Sequence, residues 1–152
     1  MTSVVLDTHM RQKLIDQAQE VLTKAYAPYS KFRVGAAILT EAGNIFVGSN
    51  VENISYGLTI CAERAAIFNA VANEGPRMRI KATAVAAAAQ IPVTPCGACR
   101  QVMQEFGYDS QVIYRSYNGF TDVPLAELLP GPFDEIAAAQ DDGSVTSIQV
   151  TR

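Results

Sequence analysis

Apolar and polar positions follow two different rhythms along this chain. Leu14, Ile15, Ala18, Val21, Leu22 and Ala25 recur at i, i+4, i+7 and i+8, the spacing of one stripe on an amphipathic helix. Thr8 is placed to cap that helix, which starts near His9 and ends before Pro28. Phe32 to Thr40 reads as a strand. Glu41-Ala42-Gly43-Asn44 is a turn, and Ile45 to Gly48 forms the antiparallel partner. Gly35-Ala36-Ala37 is small for a strand interior, which predicts either a group bound close by or a helix packed tightly on the sheet.

Ser49 to Thr59 is a long polar loop. Cys61 to Asn73 reads as a helix, apolar nearly all round and therefore buried, with Gly75-Pro76 as its stop. The alanines of Ile80 to Ala89 favour helix by propensity. The stretch lies between two helices, however, where a strand would complete a β-α-β unit, and it is assigned as a buried parallel strand. Cys96 to Phe106 is a helix with Val102, Met103 and Phe106 inward and Gly107 as its C-terminal stop. Gln111 to Tyr114 is a short strand, and Leu125 to Leu129 is a helical turn closed by Pro130-Gly131-Pro132. The order α-β-β-α-β-α-β predicts a three-layer α/β/α sandwich on a mixed sheet. One domain covers residues 1–152, with its core at about 8–133. The tail, 134–152, is polar, weakly patterned and without an assigned role.

Composition narrows the function. Hydrophobic residues make up 49% and charged residues 18%, values of a globular chain. The net charge is -3, and the densest basic cluster is Arg77, Arg79 and Lys81, which argues against a nucleic-acid partner. The longest apolar run, Ala84 to Ala89, is too short to span a bilayer, and no membrane association is expected. The N-terminus shows no apolar signal core, so the expected compartment is the reducing cytoplasm, where a disulfide framework is disfavoured. The three cysteines are then candidates for metal or redox chemistry.

All three lie in two short segments, Cys61-Ala62-Glu63-Arg64 and Pro95-Cys96-Gly97-Ala98-Cys99. Cys96 and Cys99 stand at i and i+3 in a first helical turn, and Cys61 also opens a helix. Helix N-termini lower thiol pKa, and the thiolate is the metal ligand. Three thiolates with an open fourth position match the ligand count of catalytic zinc, whereas structural sites close with four. Glu63, two residues from Cys61, is the candidate proton carrier. Zinc with three thiolates has a net charge of -1, and the guanidinium of Arg64, on the same helix face as Cys61, would offset it. His9, the single histidine, sits at an exposed helix start and is not expected to bind metal.

These two segments, taken as Cys61-Ala62-Glu63-Arg64-Ala65-Ala66 and Pro95-Cys96-Gly97-Ala98-Cys99-Arg100-Gln101, with Ala27-Pro28-Tyr29-Ser30-Lys31-Phe32-Arg33-Val34-Gly35-Ala36-Ala37, Asn50-Val51-Glu52-Asn53 and Leu128-Leu129-Pro130-Gly131-Pro132-Phe133, resemble the small, homotetrameric class of cytidine deaminases. The likeness runs from about Tyr26 to Phe133. It implies a five-stranded sheet, one zinc ion per chain, and conversion of cytidine or deoxycytidine with water to the uridine and ammonia. It implies Cys61, Cys96 and Cys99 as zinc ligands and Glu63 as carrier of the proton to N3 and then to the leaving amine. Backbone groups around Ala62 and Thr94 would hold the pyrimidine edge. Phe32 would stack on the base, and Asn50 and Glu52 would bind the ribose hydroxyls. Tyr56 and Phe133 would complete a neighbouring subunit's pocket in a homotetramer. With no Lys/Arg cluster in the sugar loop and Glu52 adding negative charge, free nucleosides are expected over phosphorylated ones.

Three other readings stay open on the residues alone. A related deaminase could act on blasticidin S or a free base, although Asn50 to Asn53 then has no ribose to hold. Cys96-Gly97-Ala98-Cys99 could be a dithiol oxidoreductase motif, which leaves Cys61 and Glu63 idle. A zinc-stabilised binding module would need a fourth ligand that His9 is poorly placed to provide.

Overall fold

In a computed structural model of the chain, residues 6–134 are described in full, and 136–139 and 145–148 as backbone. Five strands form one sheet in the order β2-β1-β3-β4-β5. Strand β1 (Val34–Thr40) pairs antiparallel with β2 (Ile45–Ser49) on one side and with β3 (Ile80–Ala87) on the other. Strand β3 pairs parallel with β4 (Gln111–Ser116), and β4 pairs antiparallel with β5 (Gly119–Pro124). The sheet is therefore mixed, as expected, with the parallel step where the chain crosses over through a helix.

Helix α1 (Thr8–Val21) covers one face, its buried residues Leu14, Ile15 and Ala18 set against Ala37, Leu39, Ala82, Ala84 and Ala86. Helices α2 (Ala62–Glu74) and α3 (Gly97–Gly107) cover the other, where Ala66, Ile67, Ala70 and Met103 pack on Ala36, Ile38 and Val112. Alternate residues of β1 thus enter opposite layers, as the strand period requires. A four-residue helix, α4 (Leu125–Leu128), follows β5.

The stretch expected as a strand from Ile80 to Ala89 forms β3 only as far as Ala87, parallel to β4 and antiparallel to β1, and its Ala82, Ala84 and Ala86 pack against α1. A Cβ on Gly35 would lie 2.1 Å from the carbonyl oxygen of Ala18, and one on Gly48 would lie 2.3 Å from the nitrogen of Ala66. These small residues of β1 and β2 therefore record tight helix-on-sheet packing, against α1 at Gly35 and against α2 at Gly48. No bound group is needed to explain them.

Several sequence expectations differ from the structure. Asp7, not Thr8, caps α1, its carboxylate accepting from the Met10 N–H at 2.8 Å. Helix α1 ends at Val21, and a short 3₁₀ turn, Leu22–Lys24, takes the chain toward Pro28. Helix α2 is buried on one face only, since Phe68 is 52% exposed. Gly107 does not stop α3 through a left-handed conformation. It admits close approach, because a Cβ there would meet the Ile80 carbonyl oxygen at 2.5 Å. Strand β5 was absent from the pattern reading, and so was an antiparallel pair in the tail, β6 (Ile136–Ala139) with β7 (Val145–Ile148).

Candidate active site

Helices α2 and α3 start beside one another, and their first turns bring the three cysteines together. Cys61 is the N-cap of α2 and Cys96 the N-cap of α3, and neither side chain makes a capping hydrogen bond. Their sulfurs are 4.0 Å apart. Cys99, one turn into α3, is fully buried, and the three Sγ atoms lie within 4.8 Å of one another. Among the described residues no fourth His, Cys, Asp or Glu joins this cluster. The cysteines are free thiols. A compact set of three soft donors, with no carboxylate or imidazole among them, fits a thiophilic divalent metal with one position left over.

The electrostatics suit that use. Cys61 is pulled down to about 5, first by the Cys99 thiol and then by Arg64, against the opposing effect of burial. Arg64 Nη2 donates to Cys61 Sγ at 3.5 Å, and Arg64 Nε is buried without a hydrogen-bond partner. A guanidinium so placed offsets the charge that collects when the cluster is deprotonated. Cys99 is pushed up, by its hydrogen bond with Cys61 first and by burial second. A metal must displace that proton on binding, so affinity for it rises with pH.

Glu63 is 4% exposed and lies on the buried face of α2 outside the sulfur cluster. Burial, and next the charge of Cys61, push its carboxyl up to about 7, against an opposing backbone hydrogen bond. A carboxyl that titrates near neutrality can both take and return a proton. Ala62, fully buried, separates Glu63 from Cys61.

A second group of residues sits along the loop before α2. Asn50 is nearly buried and its amide is engaged at both ends. Its Oδ1 accepts from the Val34 N–H and its Nδ2 donates to the Phe32 carbonyl, each at 2.9 Å. Glu52 accepts from the Ser30 hydroxyl and from the backbone N–H of Tyr29 at 2.9 Å and of Ser30 at 3.2 Å. Asn50 and Glu52 together thus clamp the Tyr29–Val34 segment, with half-buried Phe32 in its middle. They are not a freely solvated loop. Tyr29, Ser30, Glu52, Tyr56 and Thr59 line a cavity of about 340 Å³, and the rings of Tyr29 and Tyr56 meet edge to face at 6.1 Å. Ser30 and Thr59 were missed from sequence. The available signal for Ser30 was its place after Pro28-Tyr29, where a hydroxyl closes a local turn onto the Phe32 N–H at 3.0 Å.

Thr94 is exposed in the loop leading to α3, ahead of buried Pro95. Phe133, 71% exposed, and Tyr56, 75% exposed, do not fold back onto the cluster. His9 is exposed and takes no part.

Residues 8–116 match the model of the cytidine and deoxycytidylate deaminase zinc-binding region. The chain belongs to this family. It is 47% identical over 126 residues to the cytidine deaminase of Sporosarcina psychrophila, covering 82% of this chain and 91% of that one. It is also 47% identical over 135 residues to a probable cytidine deaminase of Dictyostelium discoideum, covering 86% and 90%. The crystal structure of cytidine deaminase from Burkholderia pseudomallei superposes with a TM-score of 0.74 at 44% identity, covering 84% of this chain and all of that one. The three-layer fold, the deaminase family and zinc as cofactor are thereby established. No helix among the described residues is long and apolar enough to cross a membrane.

Proposed function

We propose that this deaminase converts cytidine and deoxycytidine, with water, to uridine and deoxyuridine with release of ammonia, a step of pyrimidine salvage in the cytoplasm. The observation that carries the reading is a buried carboxylic side chain, Glu63, at the start of the helix that brings Cys61 into a cluster of three thiols with room for one more ligand on a metal. Cys61, Cys96 and Cys99 would hold zinc, which supplies the Lewis acidity that makes a water nucleophilic at neutral pH. Glu63 would take one proton from the attacking water and give it to N3 as C4 is attacked, then take the second from the resulting C4 hydroxyl and give it to the departing amine. Arg64 moderates the charge of the thiolates. Backbone groups around Ala62 and Thr94 hold the pyrimidine edge and Phe32 stacks on the ring. Glu52 and the remaining N–H of Asn50 take the ribose hydroxyls. The chain works as a homotetramer in which Tyr56 and Phe133 reach a neighbour's pocket. Their exposure supports this.

Glu52 brings negative charge to the cavity of Tyr29 and Tyr56, and none of the described residues lining that cavity is cationic. A phosphate on the 5′ carbon would meet an unfavourable field, which supports free nucleosides over monophosphates. The deciding experiment combines metal analysis with absorbance assays on cytidine and cytidine monophosphate. The purified protein should carry about one zinc per chain and deaminate the nucleoside. Glu63→Gln should keep the metal and lose about 10²–10⁴-fold in kcat. Zinc without turnover of cytidine by the unmodified protein, or equal turnover of the monophosphate, would refute the corresponding part.

A further inference from the structure

Helix α3 directs Cys99 into the core, while its polar side chains grip a different segment. Arg100 Nη1 donates to the Leu128 carbonyl at 2.7 Å, and the Tyr108 hydroxyl donates to the Leu129 carbonyl at 3.3 Å. Gln101 makes a two-way pair with the main chain of Phe133. Its Nε2 donates to the Phe133 carbonyl at 2.8 Å, and its Oε1 accepts from the Phe133 N–H at 3.3 Å. Arg100 Nε in turn donates to the carbonyl of Pro95, the residue before Cys96, at 2.8 Å. One helix therefore bears two candidate metal ligands, holds the loop that precedes them, and fixes the arm from Leu128 to Phe133.

That arm needs an external template. After α4 it runs through Pro130, Gly131 and Pro132, outside the sheet and the helices. The two prolines offer no N–H, and Gly131 adopts φ 65°, a left-handed turn that favours glycine. Phe133 is the first residue after this turn that can bond through both main-chain groups, and it does so with Gln101. Its ring remains 71% exposed.

We propose that Gln101 is a positioning residue. Its amide sets the Phe133 main chain so that the ring projects outward to the nucleoside pocket of an adjoining subunit. This rests on the reading above, in which Phe133 completes a neighbour's site. It also couples that site to the metal centre, because Gln101, Cys96 and Cys99 belong to the start of one rigid helix.

Two readouts test it on the zinc-loaded protein with Gln101→Ala, Phe133→Ala and the double variant. The first, hydrogen exchange, is independent of turnover. The Phe133 amide in Gln101→Ala should exchange about tenfold or more faster, with zinc content unchanged. In the second, Gln101→Ala should raise KM for cytidine about tenfold while kcat changes less than about threefold, and the double variant should be no worse than Phe133→Ala alone. Unchanged exchange at Phe133 overturns the proposal. So does faster exchange without a change in KM, or a double variant showing the product of the two single losses. If the unmodified protein does not deaminate cytidine, the functional reading fails, and hydrogen exchange still decides whether the clamp exists. Should Gln101→Ala fail to fold, the near-isosteric Gln101→Met removes both bonds while keeping the side-chain volume and should shift exchange and KM in the same direction.

Discussion

At the scale of single residues, Glu52 shows how a carboxylate proposed to bind ribose is held by its neighbours. The Ser30 hydroxyl is the main influence holding its carboxyl below the usual carboxylate range, with the Tyr29 and Ser30 N–H groups and the charge of Lys31 adding to it. A group whose folded pKa is depressed contributes its contacts above the unfolded value and loses them as pH falls through the folded one. The loop clamp is therefore complete at neutral pH and opens only in acid, below the ordinary carboxylate range. Ser30→Ala should move the Glu52 midpoint upward toward that range, and a carboxyl-carbon NMR titration of both proteins reads it directly. A midpoint that stays put would remove Ser30 from the account. Asn50 is prepared differently. With its Oδ1 bonded to Val34, the first residue of β1, and its Nδ2 to the Phe32 carbonyl ahead of the strand, it orders the Phe32 backbone.

At the scale of elements, the site depends on how closely α2 lies on the sheet. A Cβ at Gly48 would sit 2.3 Å from the Ala66 nitrogen and 2.7 Å from the Ala62 carbonyl oxygen, both backbone atoms that cannot swing away. Gly48→Ala should therefore cost about 1–3 kcal/mol, or about 2–4 °C in Tm per kcal/mol, and disturb the helix that carries Glu63. Gly57→Ala is the control. Nothing lies within 4 Å of its added carbon, and thermal unfolding should place it within about 0.5 kcal/mol of the parent. The same closeness explains what the pattern of residues could reveal. The metal cluster was legible because cysteine spacing and helix starts are local features. The strand at Ile80–Ala87 was legible from its place between helices, although its alanines, present because α1 approaches so near, spoke for helix. Strand β5 was illegible because an edge strand tolerates Asp122 and Pro124, which an interior strand would not. The one-sided burial of α2 was hidden by Phe68. An apolar side chain reads as core whether it faces this chain or a second one. The double role of Asn50 was hidden because its partners, Phe32 and Val34, are distant in sequence.

At the scale of the whole molecule, the loop between β2 and α2 sets Val51, Ile54, Tyr56 and Leu58 at the surface, with Ile54 80% exposed. Tyr26, bridged to Val51, adds another ring, and Phe68 stands on the outer face of α2. A chain that displays this many large apolar side chains is suited to burying them against a partner. The homotetramer proposed above supplies one, and it would bring Tyr56 and Phe133 to adjoining sites. On this account the parent protein should sediment as an assembly of four 16.3 kDa chains. Ile54→Asp should shift it toward smaller species with secondary structure unchanged by circular dichroism. A charge without a counter-ion at the interface costs several kcal/mol, enough to move a micromolar equilibrium across the working range. Turnover per chain should fall with the assembly, because a chain alone lacks its neighbour's rings. Analytical ultracentrifugation run beside the cytidine assay decides it. A parent protein that sediments at the mass of one chain and deaminates at full rate would show that each pocket is complete within its own subunit.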